Sequence, residues 1–432
     1  MTVLSMTELE SGLSIGSVSV VSLLLVFVPV LVVSWLVTTV ATPLVRHAAV
    51  AAGVVDRPDA SRKLHTKPTA YLGGVAVIAG VLAGVITSYV ISPSLPLEYR
   101  PVPFAIVIGM IAITFTGLGD DIWGWDPRLK VAGQLVAAAA MAISSVGTSV
   151  VEGFFDSLFG VGEIVVPIPT PWGEMTLDVT YWVGTLTIAF FVMGACNAAN
   201  LIDGLDGLLS GVTGITVIGL LCISVMMAVA LTPADIEQIM VEMPSDDLGL
   251  KGLDGITLSG ARIALGLAVL GAVLGFLPFN WNPATIFLGD TGSLLLGYLT
   301  ISLILMLGEQ GQTYLVVCGL IVFGLPILDT MIAILRRKLR GIPMSVPDAN
   351  HLHHVIKRRV GTVKRATGTM YLLASILAAV GVLLAWLIID GHLRGFVSYI
   401  VAFIIFGGAS GITVIRVQRS KKRAVNPVDA EV

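Results

Sequence analysis

The chain has 432 residues, is 56% hydrophobic and only 12% charged, and has a mean hydropathy of +0.94, which excludes a soluble globular domain and indicates a polytopic membrane protein. A net charge of −3 says little about partners, because charge in such a protein is sorted by side of the membrane; no nucleic-acid-binding footprint is present. Cys196, Cys222 and Cys318 each lie in an apolar run, which indicates neither a disulfide framework nor a thiolate metal site.

At about 20 apolar residues per span, the hydropathy pattern predicts an all-α fold of eleven transmembrane helices. They are expected at 18–45, 72–92, 102–118, 130–150, 181–200, 208–231, 259–278, 288–307, 313–335, 367–389 and 396–415. The first is too long for a signal-peptide core and lacks a basic leader, so it reads as an uncleaved span. Gly80-x-x-x-Gly84 and Gly271-x-x-x-Gly275 suit close helix packing. Residues 151–180 read as an outer hairpin loop, and 232–258 as an outer acidic loop. Residues 336–366 form a long histidine-rich and basic connection, and 416–432 a basic tail suited to anionic lipid. No internal repeat or separable soluble domain is visible, so 1–432 reads as one integral membrane domain.

Lys and Arg set the orientation. All of the 25 except Arg100, Lys251, Arg262 and Arg394 fall in one set of connections, which is therefore cytoplasmic. The N-terminus is then expected outside, the C-terminus inside, and the hairpin on the periplasmic side.

With sides assigned, the unusual polar residues all collect on the cytoplasmic face. Asp120-Asp121 follows the third span, with Lys130 at the start of the fourth. Adjacent carboxylates suit a hard divalent cation or a base beside one, although two solvated loop acids would read the same way. The stretch from Asn197 through Asn200 and Asp203-Gly204 to Asp206-Gly207 closes an apolar run with two amides and two carboxylates. At helical pitch Asn197 and Asn200 share a face, and the glycines leave Asp203 and Asp206 at the mouth of the helix. Asn280 and Phe287 precede Gly289-Asp290-Thr291-Gly292-Ser293, a helix start with free backbone N–H groups and two hydroxyls around a carboxylate. It suits a metal-bound phosphate, or serves as a plain cap. His351, His353 and His354 stand beside Lys357, Arg358 and Arg359; without a further ligand they fit a diphosphate better than zinc. Asp329, after Pro326, is an acid that a proline kink could turn towards the same face. The first cytoplasmic loop contains Lys63 and offers a cationic patch, as its topology alone would also require.

A ring of acids, amides, histidines and cations where cytosol meets bilayer argues for metal-assisted phosphoryl chemistry between a nucleotide-linked substrate and a lipid. The same motifs resemble the polyprenyl-phosphate N-acetylhexosamine-1-phosphate transferases, from about residue 40 to 390 and in the same order. Pro347-Asp348 before a histidine run that Leu352 interrupts resembles the bacterial branch that uses UDP-N-acetylglucosamine to start O-antigen, teichoic acid or common-antigen polymers. The sister branch, acting on UDP-N-acetylmuramoyl-pentapeptide, usually shows three consecutive histidines.

The resemblance implies transfer of N-acetylglucosamine 1-phosphate from UDP-N-acetylglucosamine to undecaprenyl or another polyprenyl phosphate, releasing UMP. It implies Mg²⁺, replaceable by Mn²⁺, in a bacterial cytoplasmic membrane, and a homodimer as a possible assembly. Carried onto this chain, it makes Asp290 the principal metal ligand with Asp120 and Asp121 close by, and puts Asp203 near them. It has Asp206 and Phe287 hold the uracil, while His351, His353 and His354 contact the diphosphate with Arg358 and the basic loop around Lys63. Asn197, Asn200, Asn280 and Lys130 would surround the phosphates. A secondary transporter is the rival class, but it would place its acids near the membrane midplane in related repeats.

Overall fold

The computed structural model describes residues 20–56, 68–91, 102–143, 146–170, 173–230, 258–309, 311–343 and 350–425. The protein is a bundle of helices: α1 (Val20–Ala51), α2 (Gly73–Ile91), α3 (Phe104–Trp123), α4 (Pro127–Ile143), α5 (Thr148–Phe159), α6 (Val179–Ile202), α7 (Leu208–Ala230) and α8 (Ser259–Asn280). They are followed by α9 (Gly289–Met306), α10 (Thr313–Val322), α11 (Gly324–Arg340), α12 (Leu352–Val360), α13 (Val363–Ile389), α14 (Phe396–Ala402) and α15 (Gly408–Val425). A short π-helical turn, Phe403–Gly407, joins the last two. Among the described residues, nine helices are long and apolar enough to cross a membrane, or eleven elements if each of two bent pairs is one span.

Five sequence expectations change. The ninth span is broken: α10 and α11 meet at a 78° bend around Phe323, and α11 continues as a basic amphipathic helix to Arg340. The break lies before Pro326, which sits inside α11. The fourth span ends at Ile143 and a separate helix, α5, follows; the hairpin is confined to β3 (Val165–Thr170) and β4 (Gly173–Asp178), paired antiparallel. Helix α3 does not stop at 118 but runs through Asp120-Asp121 to Trp123, where Gly124 ends it with a φ of 63°. The tail is helical to Val425. The Lys63 loop, nearly all of the acidic loop 232–258 and Pro347-Asp348 lie outside the described residues.

Helix α9 is the axis of the bundle. It packs on α2, α3, α6, α7, α8 and α10, and every residue in it except Asp290 is buried. Peripheral helices α1 and α13 instead turn Leu36, Val40, Leu372, Leu383 and similar side chains outwards. In a bilayer, lipid is as apolar as these side chains, so close packing and satisfied polar groups, rather than water exclusion, hold the helices together. The small residues do this: a side chain at Gly271 or Gly275 of α8 would strike the carbonyls of Leu31 or Trp35 in α1, and Gly80 and Gly84 of α2 lie against Thr38, Ser34 and Ala268. Hydroxyls within the spans return their hydrogens to the preceding turn, as in Thr114 to Met110 O, Thr300 to Leu296 O and Ser302 to Tyr298 O.

Candidate active site

The functional groups gather where α3, α4, α6, α8 and α9 present their ends at one pole of the bundle. The loop into α9 is built first by backbone contacts. The short pair β1 (Val55–Asp56) and β2 (Thr69–Ala70) extends onto it: Phe287 N–H donates to Ala70 O at 2.9 Å, and Gly73 N–H and Gly74 N–H donate to Phe287 O and Leu288 O. Asn280, 3% exposed, ties the other side, with Nδ2 donating to Ile286 O at 3.0 Å and Oδ1 accepting from Ser210 Oγ. Both ends of the Asn280 amide thus shape the loop.

Gly289 turns the chain into the helix with a φ of 70°, a conformation that disfavours side chains, and any side chain there would also strike the Asp121 carboxylate. That carboxylate caps α9 from a neighbouring helix. Its Oδ1 accepts from Asp290 N at 2.8 Å, and its Oδ2 from Thr291 N at 2.9 Å and Thr291 Oγ1 at 2.6 Å. A negative group on a helix N-terminus is favourable, and three donors tie Asp121 to the start of α9.

Asp290 and Asp120 face each other across one cation. Lys130 Nζ lies 2.6 Å from Asp120 Oδ2 and 2.5 Å from Asp290 Oδ2. Asn200 Nδ2 donates to Asp290 Oδ1 at 2.8 Å and to Ser293 Oγ at 3.0 Å. Asn197 does not share this role: its amide donates to Gln134 Oε1 and to Met193 O, along the interface with α4. The two asparagines that one helical face would hold together therefore face different neighbours. Ser293 was part of a readable turn, whereas Tyr71, whose ring lies 6.0 Å from that of Phe287, carried no signal beyond standing before Gly73-Gly74. Burial, then the charge of Asp56 and a hydrogen bond to it, raises the Tyr71 phenol above its ordinary range.

Asp203 ends α6. Burial, followed by the charges of Asp290, Asp121 and Asp206, pushes its carboxyl up to about 8. Asp206 accepts from Asn282 Nδ2 at 2.7 Å and from Ala284 N at 3.1 Å through one oxygen, and so braces the loop before α9.

The histidines reach this pole on α12. The ring of His353 is 1% exposed and lies on Gly204, where a Cβ would meet its Nε2. Among the described residues neither ring nitrogen of His353 has a hydrogen-bond partner, and burial first, then the charge of His354, lowers its pKa to about 4. His351 and His353 stack with centroids 5.8 Å apart, and His353 and His354 lie at 4.2 Å. His351 Nδ1 is 3.0 Å from Asp329 Oδ2. Arg358 donates to Asn350 Oδ1 at 3.2 Å, and partial burial holds Lys357 below its ordinary range against the opposing charge of Asp206. The arrangement joins two carboxylates that can share a cation to a cluster of histidines through the Asp203-Gly204 turn.

Residues 103–308 match the model of Glycosyl transferase family 4. A Bacillus subtilis (strain 168) protein described as "Probable undecaprenyl-phosphate N-acetylglucosaminyl 1-phosphate transferase" is 34% identical over 328 residues, 75% of each chain. The decaprenyl-phosphate N-acetylglucosaminephosphotransferase of Mycolicibacterium smegmatis is 30% identical, with 79% of this chain and 78% of that protein aligned. The undecaprenyl-phosphate alpha-N-acetylglucosaminyl 1-phosphate transferase of Salmonella typhi is 29% identical over 86% of this chain and 88% of its own. The match spans every helix that supplies Asp120, Lys130, Asn200 and Asp290, and on these similarities the chain belongs to glycosyltransferase family 4.

Proposed function

We propose that the protein transfers N-acetylglucosamine 1-phosphate from UDP-N-acetylglucosamine to undecaprenyl or a related polyprenyl phosphate and releases UMP. The observation that carries this reading is the convergence of Asp120 and Asp290 on one cation at the mouth of α9, in a chain whose relatives bear that activity in their names. The site lies on the cytoplasmic face of a bacterial inner membrane, and the β-hairpin on the periplasmic side. Supporting this, Arg46, Lys130, Lys357 and Arg358 stand at the pole of the site, Arg46 donating to Thr285 O, while Arg262 lies at the opposite pole.

The donor set suits Mg²⁺: two hard carboxylate oxygens already meet at one positive centre, the Lys130 ammonium, and phosphate oxygens and water would complete a coordination shell. Asp290 and Asp120 would hold the ion, which would supply charge neutralisation on the diphosphate. Asp121, engaged by three donors, fixes the start of α9 instead.

In the transfer, an oxygen of the polyprenyl phosphate forms a bond to the β-phosphorus of the donor. The bond from that phosphorus to the bridging oxygen breaks, and the bridging oxygen leaves on UMP. Asp120, 16% exposed, would take a last proton from the acceptor phosphate through the oxygen that is not engaged with the cation. Lys130 and the α12 cations stabilise charge on the leaving group, and the histidines orient the diphosphate. Asp206 and Phe287 form the uracil end.

UMP release in detergent with undecaprenyl phosphate tests the reading. UDP-N-acetylglucosamine should be used well above its galactosamine epimer and UDP-N-acetylmuramoyl-pentapeptide. Turnover with the pentapeptide donor alone would replace the proposed substrate, and no UMP from any donor would remove the reaction.

A further inference from the structure

Asp329 is a carboxylate carried by a helix of the bundle and is 3% exposed. It has two separate partners on the histidine segment. Its Oδ1 accepts from Leu352 N at 2.6 Å, and its Oδ2 lies 3.0 Å from His351 Nδ1 and 3.9 Å from His353 Nδ1. Helix α12 begins at Leu352, and its own N-cap residue, His351, makes no side-chain cap. Asp329 supplies that cap from a distant part of the chain, at the end of the dipole where a negative charge is favourable, while Lys357, Arg358 and Arg359 occupy the other end. The 78° break at Phe323 is what turns α11 so that a residue two turns into it meets α12.

A carboxylate without a hydrogen can only accept, so the nitrogen facing it must carry one. His351 Nδ1 is then the donor, and Nε2 is the nitrogen left for anything else. The His351 ring stacks on His353 at an interplanar angle of 13°, so fixing the first ring constrains the second. Among the described residues His353 has no hydrogen-bond partner of its own to set it.

We propose that Asp329 is a positioning residue: it fixes the tautomer and ring direction of His351, and so holds the histidine cluster ready for the donor's diphosphate. The inference rests on the transfer reading above. It assigns Asp329 no contact with substrate.

Asp329→Asn separates the two duties. The amide oxygen can still accept from Leu352 N–H and keep the cap, but the amide nitrogen, a donor, would now face His351 Nδ1 and drive its hydrogen to Nε2. The expected result is a melting temperature within about 2 °C of the parent, a donor KM within about threefold, and a kcat lower by about 10- to 100-fold. Nitrogen NMR of histidine-labelled protein, with the resonance assigned by its loss in His351→Gln, should show Nδ1 and Nε2 exchanging character. Asp329→Glu restores a carboxylate and should recover most of the lost kcat, which also serves if the asparagine variant fails to fold. Unchanged kcat, an unchanged His351 tautomer in the asparagine variant, or a glutamate variant no better than it would each overturn the inference. The NMR arm needs no substrate. If the parent protein releases no UMP from any donor, the transfer reading fails while the tautomer result still stands or falls by itself.

Discussion

At its N-terminal end α9 meets Asp120, Lys130 and Asn200; at its C-terminal end it meets Arg262 and Glu309. Both ends hold an ion pair, but only one is closed. Arg262 is 2% exposed, and its guanidinium reaches Glu309 at 3.0 Å, Met306 O at 3.0 Å and Ser259 Oγ at 3.0 Å. Glu309 in turn accepts from Leu258 N with both oxygens. The pair pins the start of α8 to the end of α9. At the other end Lys130 is 27% exposed and Asp290 23%, and one ammonium serves two carboxylates. The sealed pair is suited to holding helices together, because removing one partner strands a buried charge. The open cluster has more negative charge than its one lysine balances, and it is reachable, so it is suited to exchanging partners with a ligand.

Substitutions at the two ends should therefore separate activity from stability. Asp290→Asn is expected to lower UMP release by about 10³-fold or more at any Mg²⁺ concentration, with little change in melting temperature; near-normal turnover would erase the contrast from the side of the site. Arg262→Met should do the reverse, lowering stability by about 3 kcal/mol while donor KM stays put. Adding Glu309→Gln should recover much of that loss, and thermal unfolding in detergent reads both. A lone Arg262 variant as stable as the parent would mean that the closed end does not pin the helices.

Within the open end, Asn200→Ala should lower kcat/KM by about 10- to 100-fold, because it releases Asp290 Oδ1. Asn197→Ala, which removes the hydrogen bonds to Gln134 and Met193 O, should stay within about threefold. Equal losses would show that the asparagines act as one group after all.

Two pH dependences of opposite sign are also expected. His353 has its folded pKa lowered from 6.5 to about 4, so the unfolded chain binds the proton first. Stability contributed by the neutral ring is present above pH 6.5 and falls by about 1.5 kcal/mol between pH 6.5 and 5. His353→Gln should remove that slope. Asp203, raised from 3.8 to about 8, works the other way: its contribution is present below pH 3.8 and is lost as pH rises towards 8, and Asp203→Asn should flatten it. Unfolding measured in chelator over pH 5–8 checks both.

Much of the candidate site was legible because it is written in local patterns. Gly289 to Ser293 is a turn entering a helix, Asp203-Gly204 closes one, and both can be read from residues close in sequence. What could not be read was the partner of each group. Asp121 reads from sequence as a carboxylate beside the metal, and nothing local shows that its oxygens also accept from the start of α9, 170 residues away. Asn280 reads equally as a group beside the phosphates or as packing, and in the fold it is buried with both amide ends bonded to the protein. Asn197 and Asn200 shared a helical face in projection, but neighbouring helices divide that face between Gln134 and Asp290.

The sequence by itself determined that the chain is a bundle of apolar helices and which polar residues stand near their ends. A long run without charge has few stable alternatives in lipid, since each backbone polar group must be satisfied within its own segment. Only the tertiary structure decided where one span breaks and which polar groups meet. The bend at Phe323, the capping of α9 by Asp121 and of α12 by Asp329, and the placing of His353 on Gly204 all depend on contacts between residues far apart in the chain. Periodicity gives the face on which a side chain lies, but its hydrogen-bond partner depends on how close and at what angle another helix passes.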